Sequence, residues 1–176
     1  TETAIELAVQ TTLTSDVTFT GIGLHLGKPV RMVVRPAPAG HGIVFRRVDM
    51  PGSAPIPALW DNVIVSPLNT RIENADGASV STIEHLMAAL AGTGIHNALI
   101  EIDGPEVPIL DGSAAEFVAG FVKAGTMTLE APLRVIEVIA PVQVRVGDAS
   151  ARLVPAETLR IGFEIDFADE AIGHHS

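Results

Sequence analysis

"STIEHLMAALAGTGIHNALIEIDG", residues 81–104, decides the fold class of this chain. Its first half has helical periodicity: at about 100° per residue, Ile83, Leu86, Met87 and Leu90 fall on one apolar stripe. Ser81-Thr82-Ile83-Glu84 spells S-x-x-E, which predicts a capping box with Ser81 as N-cap and Glu84 at the third helical position. The second half, "NALIEI" at 97–102, is short, apolar and alternating, and predicts a buried strand. A helix followed directly by a buried strand points to helices laid on a sheet.

Working outward, the flanking segments agree. Upstream, "TTLTSDVTFTG", "KPVRMVVRPAP" and "GIVFRRVDM" are β-branched runs separated by Gly, Pro and Asp turns. "NADGAS" is an Asx-Gly turn leading into the helix. Downstream, "DGSAAEFVAGFVKAG" predicts a second helix, with Ser113 and Glu116 repeating S-x-x-E and Gly125 as its stop. After Gly125 only strand signals remain, with "VGDA" and "PAETL" as turns. The expectation is an α+β fold: a mixed β-sheet layer with two helices on one face over residues 1–130. The opening strands of a second, similar domain follow over 131–176, with no helix of this chain to cover their apolar faces.

Composition narrows the function. The chain has 176 residues, a net charge of −10 from 21 acidic and 11 basic residues, six Phe, one Trp and no Tyr. Few cations and few stacking surfaces argue against nucleic acid as a partner. There is no Cys, so a metal site would draw on His, Asp and Glu. No apolar run reaches the length of a membrane-spanning helix, and "TETAIELAVQ" is too acidic for a secretory leader; a cytoplasmic protein is expected.

Within this frame Glu84 and His85 stand out. They lie off the apolar stripe, and Ala88 and Ala89 follow on their side, leaving a thin face that a ligand or another layer can approach. Pattern alone favours a packed or surface role for His85. The chemistry of the pair nevertheless suits a hydrolytic metal site, where His is a nitrogen ligand and Glu accepts a proton from water. "GIGLHLG", residues 21–27, has the wrong spacing for a dinucleotide fingerprint and reads as a glycine-bent hairpin with His25 at its tip. Adjacent Arg46 and Arg47 face opposite sides of a strand, so one can meet an anion while the other is solvated. Helix-start duty accounts for Asp111 and Ser113, and the terminal "GHHS" reads as a frayed end.

The runs "GIGLHLGKPV", "RPAPAGHGIVFRRVD", "STIEHLMAALAGTGIHNALIEIDGPEVPILDGSAAEFV" and "IDFADEAIG" together resemble the N-terminal half of the UDP-3-O-acyl-N-acetylglucosamine deacetylases, zinc amidases of lipid A synthesis. The resemblance runs from about Val17 to the end. It implies a two-domain fold with the active site between helix layers, His85 as a Zn2+ ligand and Glu84 as general base. It further implies that His25 sits at the mouth of the site and that Leu68, Asn69 and Thr70 line the UDP-linked, acylated glucosamine substrate. In the family the other two zinc ligands come from an H-x-x-x-D helix of the C-terminal domain, and the general acid is a further His. After His96 this chain has only His174 and His175, and "FADEAIG" stands where the family more often spells His-Pro. The alternative from a different class is a stand-alone, non-catalytic binding module built on the same first domain.

Overall fold

A computed structural model describes residues 8–175, so the acidic stretch 1–7 and the closing Ser176 lie outside the described residues. The chain divides into two compact units, Thr1–Leu133 and Arg134–Ser176.

The first unit is built on a five-stranded mixed sheet. Its strands are β2 (Val17–Ile22), β3 (Pro29–Pro36), β4 (Ile43–Arg47), β5 (Ile56–Pro57) and β9 (Ala98–Ile102), and β1 (Val9–Leu13) precedes them in the chain. The spatial order is β2-β3-β9-β4-β5, with β9 antiparallel to β3 and parallel to β4. The predicted strand at 97–102 is therefore the centre of the sheet. Period-two alternation sends Ala98, Ile100 and Ile102 to the core, where each is fully buried.

Three short strands, β6 (Val63–Ile64), β7 (Arg71–Glu73) and β8 (Ser79–Ser81), form a separate antiparallel sheet that feeds α1 (Glu84–Gly92). The Asx-Gly turn between β7 and β8 forms as predicted: Asn74 Oδ1 accepts from the N–H groups of Asp76 and Ala78. It leads into a strand, not directly into the helix. The second helix, α2 (Ala115–Ala124), ends at Gly125, whose φ of +78° is the left-handed stop that glycine supplies.

Both helices join the core of the first unit. Leu86 and Leu90 of α1 are buried with Phe117 and Phe121 of α2 in one apolar cluster with the strands. Phe19 on β2 meets Phe117 edge-on at 4.9 Å and Phe121 at 5.8 Å. The strand β10 (Thr126–Pro132) runs through the expected boundary at residue 130 and pairs antiparallel with β1, so the first unit closes end to end.

Neither S-x-x-E becomes a capping box. Ser81 is already spent as a strand residue: its N–H donates to the Pro105 carbonyl, its carbonyl accepts from Val107, and its hydroxyl also reaches Pro105. Thr82 then takes a left-handed φ of +56°, which turns the chain so sharply that α1 begins at Glu84 itself. In α2, Ser113 does take the Ala115 N–H, as helix-start duty requires, while Glu116 stays exposed. Ala89 is also corrected. It is fully buried, and the thin face of α1 carries Ala88, Ala91 and Gly92 instead, all exposed.

The second unit holds two two-stranded antiparallel ribbons. Strands β11 (Val142–Val146) and β12 (Ala149–Leu153) form a hairpin around Gly147-Asp148, with Gly147 at a φ of +59°. Strands β13 (Ile165–Asp166) and β14 (His174–His175) form the other, so the "GHHS" end is paired at its two histidines. No residue from 134 to 175 is buried.

Candidate active site

The sharp turn at Thr82 places Glu84 and His85 in the first turn of α1. Glu84 Oε1 accepts the backbone N–H of Thr70, which ties the helix start to the segment between β6 and β7. Glu84 Oε2 is buried and has no hydrogen-bond partner, the single such side-chain atom among the described residues. A buried, unpaired carboxylate oxygen costs more than any cap would return, so its retention calls for a use beyond folding.

His85 is half-buried beside Glu84. Asp111 lies close enough to sense it. The Asp111 carboxyl is held below the ordinary aspartate range first by the N–H and hydroxyl of Ser113, with a smaller electrostatic contribution from His85.

His25 sits at the exposed tip of the β2–β3 hairpin, as the glycine spacing predicts. It lines a recess of about 270 Å³ together with Leu26, Asn69, Ser81 and Pro105. Asn69 accepts from the Ser66 hydroxyl and donates to Thr82 Oγ1 at 3.3 Å. Leu68 is 77% exposed beside it. The structure thus brings His25 and Asn69 to one recess, and Thr70 to Glu84. The larger hollow at Met50–Ser53 and Asp76, about 480 Å³, contains none of the predicted residues.

Sequence reasoning missed Glu106. Only 2% exposed, it accepts from the His25 N–H, the Leu26 N–H and the Thr82 hydroxyl, each at 2.9 Å. Burial disfavours its charge, but these three donors outweigh burial and hold the carboxyl below the ordinary glutamate range. The available signal was a lone acid in the apolar, proline-bracketed run "PEVP", which alternation would leave on either face. Both arginines meet a carboxylate: Arg47 is buried and grips Asp49 through two nitrogens at 2.8 and 2.7 Å, and the exposed Arg46 pairs with Glu101 at 3.6 Å, so neither is simply solvated.

Comparison with known proteins decides the lineage. The family model for UDP-3-O-acyl N-acetylglycosamine deacetylase (LpxC) matches residues 10–176. The chain belongs to this family. It is 50% identical over 163 residues to the UDP-3-O-acyl-N-acetylglucosamine deacetylase of Citrifermentans bemidjiense, covering 93% of this chain and 53% of that protein. It is 48% identical over 172 residues to the protein of that name from Phenylobacterium zucineum, covering 93% and 56%. A Vibrio cholerae protein of the same name is 47% identical over 163 residues, covering 93% and 53%. The chain spans about half the length of the curated relatives it matches.

Against this family background, two features of the structure are definite. Among the described residues, no helix is long and apolar enough to cross a membrane. Among the described residues, no group of three or more His, Asp or Glu side chains stands close enough to hold a metal ion.

Proposed function

We propose that this chain is the N-terminal half of a zinc-dependent deacetylase that hydrolyses the N-acetyl group of a UDP-linked, 3-O-acylated N-acetylglucosamine in the lipid A pathway. Membership in the deacetylase family supports the reaction class, and the names of the relatives support the substrate. The coverage of about half supports a C-terminal partner half that supplies what these residues lack. A chain without Cys suits the reducing cytoplasm, where we place the protein.

One observation carries the reading: Glu84 Oε2, buried, unpaired and next to His85. A non-catalytic binding module has no use for such an atom, whereas a general base needs a free oxygen facing its proton source. The residues fit a shared zinc site in part. His85 offers one imidazole nitrogen and Glu84 an adjacent carboxylate, both suited to Zn2+; the remaining ligands belong to the other half. Zinc, when bound, supplies a Lewis acid that polarises the amide carbonyl and acidifies water.

The chain's own residues do the rest. Thr70 N–H pins Glu84 Oε1, so that Oε2 alone is left to take a proton from the attacking water. His25 and Asn69, which line one recess, and the exposed Leu68 next to Asn69 in the chain form the side along which the sugar nucleotide lies, and Ala88 and Ala91 leave α1 thin enough for a second layer to approach. The test uses the protein carrying both halves. Glu84→Gln should keep zinc and lower turnover ~10²–10⁴-fold, while His85→Ala should lose zinc on dialysis together with activity. Near-normal turnover in the first variant, or full zinc occupancy in the second, would refute the assignment.

A further inference from the structure

Glu106 is a buried carboxylate that the chemistry above does not use. It belongs to the segment that follows β9, and that segment threads between two parts of the site. On one side, Ser81 bridges Glu106 in parallel fashion, and the Ser81 N–H and carbonyl bond Pro105 and Val107. On the other, Gly23 bridges Pro108, and Ile109 donates to the Ile22 carbonyl. The carboxylate spans the gap between the two. Oε1 accepts from the His25 N–H and the Thr82 hydroxyl, while Oε2 accepts from the Leu26 N–H.

Two further details show how closely the surroundings are fitted to this carboxylate. A Cβ at Gly23 would lie 2.4 Å from Glu106 Oε2, so residue 23 must be glycine for the side chain to reach the hairpin tip. Thr82 holds a left-handed φ of +56°, a strained conformation for a β-branched residue. Its hydroxyl is held by Glu106 and met by the Asn69 side chain. Through that hydroxyl Glu106 reaches the turn from which Glu84 and His85 depart.

We propose that Glu106 is a positioning residue, whose carboxylate locks the His25 hairpin tip to the Thr82 turn and so fixes the geometry of the recess between them. Its kinetic consequence rests on the deacetylase reading; its structural consequence does not. Glutamine at 106 has the same shape but one acceptor oxygen, and its amide group would face an N–H that also needs to donate. The tip then loses its anchor without a cavity being opened.

The first measurement is amide hydrogen exchange on the chain of 176 residues. In Glu106→Gln, the His25 and Leu26 amides should exchange at least ~10-fold faster, while those of Met32 and Ile100 in the central sheet keep their protection. Gly23→Ala, which displaces the carboxylate without altering it, should reproduce that pattern. Unchanged exchange at His25 and Leu26 in both variants would overturn the proposal. So would a loss of protection throughout the sheet in both, since Glu106 would then be a general structural residue.

The second measurement is a kinetic double-mutant cycle in the protein carrying both halves. Glu106→Gln should raise KM about tenfold with kcat little changed. In a His25→Ala background the same substitution should cost less than about twofold, because no imidazole remains to be misplaced. Equal losses in both backgrounds would overturn the positioning role. An absence of deacetylase activity in the unsubstituted protein would count against the function alone, since the exchange measurement reads Glu106 independently.

Discussion

Glu84 imposes a cost on the fold before it performs any chemistry. Its unpaired Oε2 is buried, and desolvating a charged oxygen without a partner destabilises by roughly 1–3 kcal/mol or more. Glutamine can still accept the Thr70 N–H through its amide oxygen, and a neutral amide is cheaper to bury than a carboxylate. Glu84→Gln should therefore leave the melting temperature of this chain unchanged or raise it slightly, read by thermal unfolding. A loss above about 2 kcal/mol would make Glu84 a structural residue. Glu106 should behave in the opposite sense. Its carboxyl is held low in the folded chain, so the stability it confers is complete above the ordinary glutamate value and is lost as pH falls through the folded one. Acid titration of stability below about pH 4 should accordingly be shallower in Glu106→Gln than in the parent chain. At this scale Glu84, His85 and His25 stand out in the sequence by type and neighbours, whereas Asn69 and the roles of all four enter only through the family resemblance. The sequence could not name Glu106, because its partners lie 24 to 81 residues away and two of them are backbone N–H groups, which no side-chain pattern records.

Elements were legible where hydrophobic periodicity was strong and illegible where tertiary pairing overrode a local signal. The central strand β9 and both helices lie where alternation and the 3.6-residue period put them. The capping box of α1 failed for a reason visible at Ser81. A strand pairing and a left-handed Thr82 outcompete a hydroxyl cap worth about 1 kcal/mol. The thin face of α1 was expected through Ala88 and Ala89, but the core claims Ala89 because it lies one turn before Thr93 and beside Leu90 and Leu86. Helix α2 makes a quantitative prediction. Gly→Ala inside a helix normally stabilises by roughly 1 kcal/mol. At Gly120 the new Cβ would meet the Phe19 ring at 2.7 Å and Val17 at 3.1 Å, and Phe19 is backed edge-on by Phe117 and Phe121. Gly120→Ala should therefore reverse the usual sign and destabilise by about 1–3 kcal/mol in denaturant titration. A stabilised variant would mean that the aromatic cluster can give way.

At the scale of the whole molecule, the two units differ in kind. Among the described residues, all the buried apolar ones belong to the first, whereas the second exposes Val144, Ile161 and Phe163 and has no buried residue. A peptide of residues 134–176 should therefore show no cooperative thermal transition by circular dichroism, while residues 1–133 melt as one unit. A sharp transition in the peptide would reveal a core where none is buried. The pairing of β1 with β10 has a further consequence, which concerns time. The earliest described strand of the first unit meets His96 and Asn97 along one edge, but along the other it finds its partner only in the unit's last strand, with Leu13 opposite Thr126 and Val9 opposite Pro132. A growing chain leaves the ribosome from the N-terminus, so the β10-facing edge of β1 waits bare until nearly the entire unit has been translated. The seam then closes just as the apolar strands beyond residue 134 begin to emerge.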